Sequence, residues 1–295
     1  MSSIEIGTWT PIGPTEGGAT IAIAGDLTAV AGPGHVVVWT GTQRVGRADA
    51  PCPAPGTPRF RNGKLLWGPG VLDLNTNSYE VIETACPQIL PGGGERPTVY
   101  AWSPSGARLV ASYSTGDSDR QTRVTLFDGV AGQPIADLWR GNELPPQAVW
   151  VGQKVAVIGF REPRLFDLAS GDARGMLPLD AGTITRLDAD RDERFLIAVD
   201  LNRSVVLIDQ SRLTVVDRWQ GRWQDAAISP DGTFLSALDM EGRMHFACLS
   251  ERGFQTLGEP DESIRAGSIA LSDSVIAVAS GGVAARASLR INCAD

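Results

Sequence analysis

The side chains with the widest chemical reach are few and scattered. Two histidines stand at positions 35 and 245, and four cysteines at 52, 86, 248 and 293, in a chain of 295 residues. A hydrolytic triad needs a histidine against its nucleophile, and nothing in the sequence brings His35 and His245 to one place, so both are read as surface or strand residues. No Cys-x-x-Cys pair occurs, which argues against a structural zinc cluster and a haem attachment site. The run Asp188-Ala189-Asp190-Arg191-Asp192-Glu193 opens like a calcium loop. Its sixth and twelfth places hold Glu193 and Val199 instead of glycine and glutamate, so it is read as a solvated turn and no metal is expected. Arginine is what remains. Of 26 basic residues only Lys64 and Lys154 are lysine, and the planar guanidinium suits carboxylates, phosphates and acidic peptide segments.

Two segments mark an internal repeat: Ala101-Trp102-Ser103-Pro104-Ser105-Gly106-Ala107-Arg108-Leu109-Val110 and Ala227-Ile228-Ser229-Pro230-Asp231-Gly232-Thr233-Phe234-Leu235-Ser236. In each, an apolar run meets Ser-Pro-x-Gly and a second apolar run. Proline presets φ at the first central turn position, Ser or Asp bonds the local backbone, and glycine takes the conformation that a side chain opposes. With weaker copies included, the second strand opens at Leu27, Leu65, Leu109, Val155, Leu196, Leu235 and Val275. Seven units at roughly forty-residue steps is the period of four-stranded propeller blades. A third run closes on an apolar or aromatic residue, often with an acid, as in Gly70-Val71-Leu72-Asp73, Val124-Thr125-Leu126-Phe127-Asp128, Arg164-Leu165-Phe166-Asp167 and Val205-Val206-Leu207-Ile208-Asp209; a polar turn and a fourth strand follow. No long stretch has helical spacing with caps, so the fold class is all-β. The last unit stops after its third strand, while the segment 4–10 precedes the first unit with no partner of its own. It is expected to supply strand D of blade seven, closing the ring and removing an open edge. The expected organisation is one seven-bladed propeller domain over 1–295, with blades near 19–50, 58–87, 97–141, 146–180, 184–221, 223–260, and 264–295 completed by 4–12.

These hairpins and strand endings resemble those of bacterial β-propellers of the broad WD-repeat and YVTN-like group, over essentially the whole chain. The pair Gly34-His35 stands before strand C, not strand A, and Trp39 is followed by threonine where WD repeats carry aspartate. The resemblance implies the architecture and, by analogy of fold alone, a scaffold role. The ending Asp167-Leu168-Ala169-Ser170-Gly171 is similar to those of quinoprotein propellers, but the repeated tryptophan docking motif of that family is missing, and no cofactor is expected.

The net charge of −8 repels nucleic acid and anionic lipid, and no run approaches 18 apolar residues, so neither nucleic-acid coating nor membrane insertion is expected. The opening residues carry Glu5 and no basic region, with Pro11 and Pro14 where a signal peptide would be apolar. Cytoplasm is the expected location. Free thiols are expected there, at Cys52 and Cys86 in proline-rich connections and at Cys248 and Cys293 as small apolar fillers near C strands.

Register assigns the tryptophans. Trp9, Trp139 and Trp219 share the end of strand D, and Trp102 and Trp150 the end of strand A, which marks all five as inter-blade packing. Trp223 breaks that register beside Arg222 in a D–A connection and is read as a contact residue. Arg120, Arg123, Arg161, Arg164, Arg203, Arg243 and Arg286 fall in or beside the B–C loops, which share a face with the D–A loops. They are read as a basic collar at one channel mouth; the neighbouring Asp117, Asp119, Glu162, Asp200 and Glu241 make ordinary surface pairing the competing reading. The long connections around 51–55 and 91–94 form a second contact region. The function expected is a non-catalytic scaffold for another protein or an acidic peptide segment. Arg161, Arg164, Arg203, Arg243, Arg222 and Trp223 are the binding residues; the alternatives are a propeller hydrolase or lactonase, or a small-ligand sensor at the channel mouth.

Overall fold

Short β-rich runs separated by turn residues bury too little apolar surface singly, so each hairpin pair must stack on the next. A computed structural model describes residues 3–14, 20–32, 34–52, 54, 56–87, 94–115, 121–177, 179, 184–250, 253–257, 266–280 and 282–293. Among these residues seven antiparallel sheets stand in a ring, with strand order A-B-C-D in each. Strand B opens at Leu27, Lys64, Arg108, Val155, Phe195, Phe234 and Val275, each within one residue of the position expected from the repeat. One short 3-10 turn, Glu83–Ala85, is the sole helical element among the described residues.

Blade seven is completed as expected, and by a longer segment. Ser3–Ile6 and Thr10–Pro14 both pair antiparallel with strand C, Val283–Asn292, with Ile4 opposite Ile291 and Thr10 opposite Arg286. The core is distributed: a separate apolar cluster fills each seam between neighbouring blades. The seam between blades seven and one includes Ile12 from the N-terminal strand, Ile21 and Val30 from blade one, and Ala277 and Ala279 from blade seven. Trp102 and Trp150 are buried in seams, and Trp9, Trp139 and Trp219 pack against others, as their shared register predicts.

Three readings are corrected. Cysteine comes first: Cys52 is bonded to Cys86 and Cys248 to Cys293, so none of the four is a free thiol. Each bridge ties positions about one blade period apart: the first brackets blade two, and the second joins strand C of blade six to the residue following strand C of blade seven. The acidic run is only partly a turn. Asp188 belongs to strand A, Arg186–Ala189, and Asp190 is buried, its carboxylate accepting the Phe195 N–H at 2.7 Å and the Arg194 Nε–H at 3.2 Å. Trp223, finally, opens strand A of blade six, Trp223–Ile228, and lies in no connection; only residues 220–222 separate it from the preceding D strand.

Candidate functional site

The B–C turns of blades five and six are built alike. Asp200 follows its B strand and Asp239 ends its own, and their carbonyls accept the N–H of Arg203 and Gly242, both at 2.9 Å. The carboxylates fold back into the turns, accepting the Ser204 N–H at 2.9 Å in one and the Glu241 and Arg243 N–H groups at 3.0 and 2.8 Å in the other. The fourth residue has positive φ in both: 63° at Arg203 and 79° at Gly242. Its carbonyl then accepts an N–H from the next blade, Trp223 at 2.9 Å and Ala266 at 3.0 Å. Turn geometry is thus set by the following blade, and the second residue, Leu201 or Met240, is left facing solvent at 50% and 39% exposure.

The arginines expected in the collar divide into spent and available. Arg123 is paired with Glu95 and lies 4.7 Å from the Tyr113 ring centre. Arg164 stacks at 3.8 Å on Trp139 and pairs with Glu143 at 3.2 Å. Arg286 turns to blade one, donating to the carbonyls of Asp26 and Gly25 at 2.6 and 3.2 Å. Arg243 keeps half its surface exposed while bonding Asp239 at 2.8 Å, which holds that carboxyl below the usual aspartate range together with the Arg243 N–H and His245, against the opposing effect of burial. Arg161 and Arg222 are exposed and Arg203 is half-buried; among the described residues none of these three forms an ion pair. Arg120 and the loop residues 91–93 lie outside the described residues.

Trp223 is buried in the seam between blades five and six. It is 5% exposed, donates its indole N–H to the Trp219 carbonyl at 3.0 Å, and packs on Trp219 at 4.4 Å and edge-on to His245 at 5.0 Å. What sequence reasoning missed on this face is apolar. Leu144, Leu201, Met240 and Val283 are all exposed there, in the third D–A connection, in the B–C turns of blades five and six, and at the start of strand C of blade seven. An apolar residue placed second in an otherwise polar turn, as in Asp200-Leu201-Asn202 and Asp239-Met240-Glu241, was the available signal. Between blades three and four, an open groove is lined by Trp139, Glu143, Leu144, Pro145, Phe160 and Arg161.

The central channel holds a second group that went unnoticed. The A strands present their unpaired edges to it, and charged side chains answer those edges. Asp188 accepts the Ile228 N–H of blade six at 3.2 Å, and Asp225 the Ile269 N–H of blade seven at 3.1 Å. Arg59 of blade two donates to the Val151 carbonyl of blade four at 3.0 Å. Arg186 of blade five lies 3.0 Å from Asp225 and reaches across to the Thr57 hydroxyl at 3.4 Å. Burial pushes the Asp188 and Asp225 carboxyls up and pulls the Arg59 guanidinium down. Among the described residues no group of three or more His, Cys, Asp and Glu is placed to hold a metal ion, and no helix is long and apolar enough to cross a membrane. No model of a known protein family matches the chain, and no curated protein matches it either.

Proposed function

We propose that this propeller is a non-catalytic binding platform of the WD-repeat and YVTN-like kind, serving a bacterial multi-protein assembly. Its D–A and B–C face would receive an acidic segment of a partner protein. The observation that carries this reading is the pairing, on one face, of exposed apolar residues with arginines that form no ion pair among the described residues: Leu201 with Arg203, and Leu144 with Arg161. Apolar anchors supply affinity at such surfaces, and charges at the rim select the partner and speed encounter. The two disulfides fit an oxidising compartment better than the cytoplasm that the opening residues suggested.

The test is a photo-crosslinking amino acid placed in turn at Leu201, Met240 and Val130, the last in the C–D turn of blade three. Discrete adducts should form from Leu201 and Met240 and not from Val130. They should fall roughly tenfold in an Arg161→Glu/Arg203→Glu background, the effect of losing two rim charges worth together about 1.4 kcal/mol. Equal adducts from all three positions, or no change in the double variant, would remove the face from consideration.

A further inference from the structure

The central channel holds two adjoining spaces. An upper vestibule of about 160 Å³ and a lower chamber of about 380 Å³ share Thr57, Val149, Arg186 and Leu187 in their walls. Where the two meet, the Arg186 side chain extends from blade five to Thr57 at the foot of blade two. The lower chamber is walled by A strands of the blades, and its volume falls within the ~300–1,000 Å³ typical of small-molecule sites.

The charges lining the chamber balance in sum, Arg59, Arg186 and Arg191 against Asp188, Asp190 and Glu193, and Arg191 and Asp190 are paired with Asp273 and Arg194. Arg186 has Asp225 as its counter-charge at 3.0 Å. Arg59 and Asp188 line the same chamber, yet among the described residues neither has an oppositely charged side chain within ion-pair distance. Both have capacity to spare: a guanidinium carries five N–H donors and a carboxylate about four acceptor positions. Arg59 spends one donor on Val151, and Asp188 accepts the backbone N–H groups of Ile228 and Ala189. Glu193 sits at the A–B end, bonded to the Gln153 N–H at 2.6 Å. A simple anion in this space meets Asp188 and Glu193, and a simple cation meets Arg59 and Arg186. A molecule carrying both charges satisfies each pole. Burial moves Arg59 and Asp188 each toward its uncharged form, opposed in part by the charges of Asp188 and Glu193 on Arg59 and of Arg186 and Arg59 on Asp188.

We propose that the lower chamber binds a small zwitterion of the free amino-acid type. Arg59 and Arg186 take its carboxylate, Asp188 its ammonium, and Ile23, Phe60 and Leu271 border the rest of the molecule. This site is separate from the loop face and does not depend on it. Two arginines and two aspartates that also staple one blade to another would couple occupancy to the rigidity of the ring, so the ligand should raise the melting temperature as it saturates.

The experiment is calorimetric titration and thermal melting of the disulfide-intact protein with each of the twenty free amino acids at millimolar concentration. Acetate and ethylammonium serve as half-ligands. At least one amino acid should bind saturably at one site and raise Tm, while neither half-ligand does. Arg59→Gln and Asp188→Asn should each weaken that binding by roughly tenfold or more, the cost of removing one partner of a desolvated charge pair. Asp188→Asn keeps an acceptor for the Ile228 N–H, so a folded variant is expected; should either variant fail to fold, the wild-type contrast between amino acid and half-ligands decides. Absence of saturable binding by every amino acid, equal binding of acetate alone, or unchanged affinity in both folded variants would overturn the proposal.

Discussion

Arg203 holds a backbone conformation, φ of 63°, that its counterpart in blade six leaves to Gly242. A side chain there costs about 1 kcal/mol, and its N–H and C=O are engaged in the same two bonds as those of the glycine. Nothing in the fold therefore calls for the arginine. Arg203→Gly should leave Tm unchanged or raise it by no more than about 3 °C, while crosslinking from Leu201 falls; a clear loss of stability would mean that the side chain serves the fold. Position 203 was legible in the sequence as a loop arginine, and its positive φ was not, because that conformation is imposed by Trp223 of the next blade. Trp223 itself was misread for a related reason. Gly221 and Arg222 look like a loop that should continue, but the connection is only three residues long and strand A starts at once.

At the scale of elements, the recurring acid that ends strand C has a physical explanation. The carboxylates of Asp73, Asp128, Asp167 and Asp209 each accept the N–H groups two and three residues onward, closing the C–D turn. These bonds, and at Asp209 first of all the Ser211 hydroxyl, hold all four carboxyls below the usual aspartate range. A lowered folded-state pKa adds stability that is present above the unfolded value near ~3.9 and is lost as pH falls through the folded value. Asp188 and Asp225 act in the opposite sense, since their raised values favour the fold when protonated. Tm should therefore drop steeply only below about pH 4, and an Asp128→Asn/Asp209→Asn variant, which keeps the turn acceptors without the charge, should show a shallower drop. An identical acid limb would show that these turns do not carry the effect. The strand C acids and the hairpins were legible because turn chemistry is local. The channel staples Arg59, Arg186, Asp188 and Asp225 were not, because their partners belong to other blades. The cysteine pairs lay between: separations of 34 and 45 residues approximate one repeat, and a link between matching parts of neighbouring blades was there to be read.

At the scale of the whole molecule, stability is a sum over seams plus one closure. Seven seams each bury a modest apolar cluster, and the ring is shut where Ser3–Ile6 and Thr10–Pro14 meet Val283–Asn292, near the bridge from Cys248 to Cys293. Closure of this kind makes a stiff frame that can hold loops of different blades in a common plane without paying to order them on binding. The ring and its period were open to reading because each blade repeats one pattern. The exposed apolar residues of the B–C turns were not, since the Asp–apolar turns differ from an ordinary polar turn by a single side chain. The proposed function requires that the D–A and B–C face, and not the opposite one, receive the partner. Hydrogen–deuterium exchange of the captured complex against the free propeller measures this directly. Protection should concentrate in residues 159–163, 200–204 and 239–243, with the A–B turns around Pro104, Asp192 and Asp231 unchanged; protection of those A–B turns, with the B–C turns exchanging as in the free protein, would contradict it.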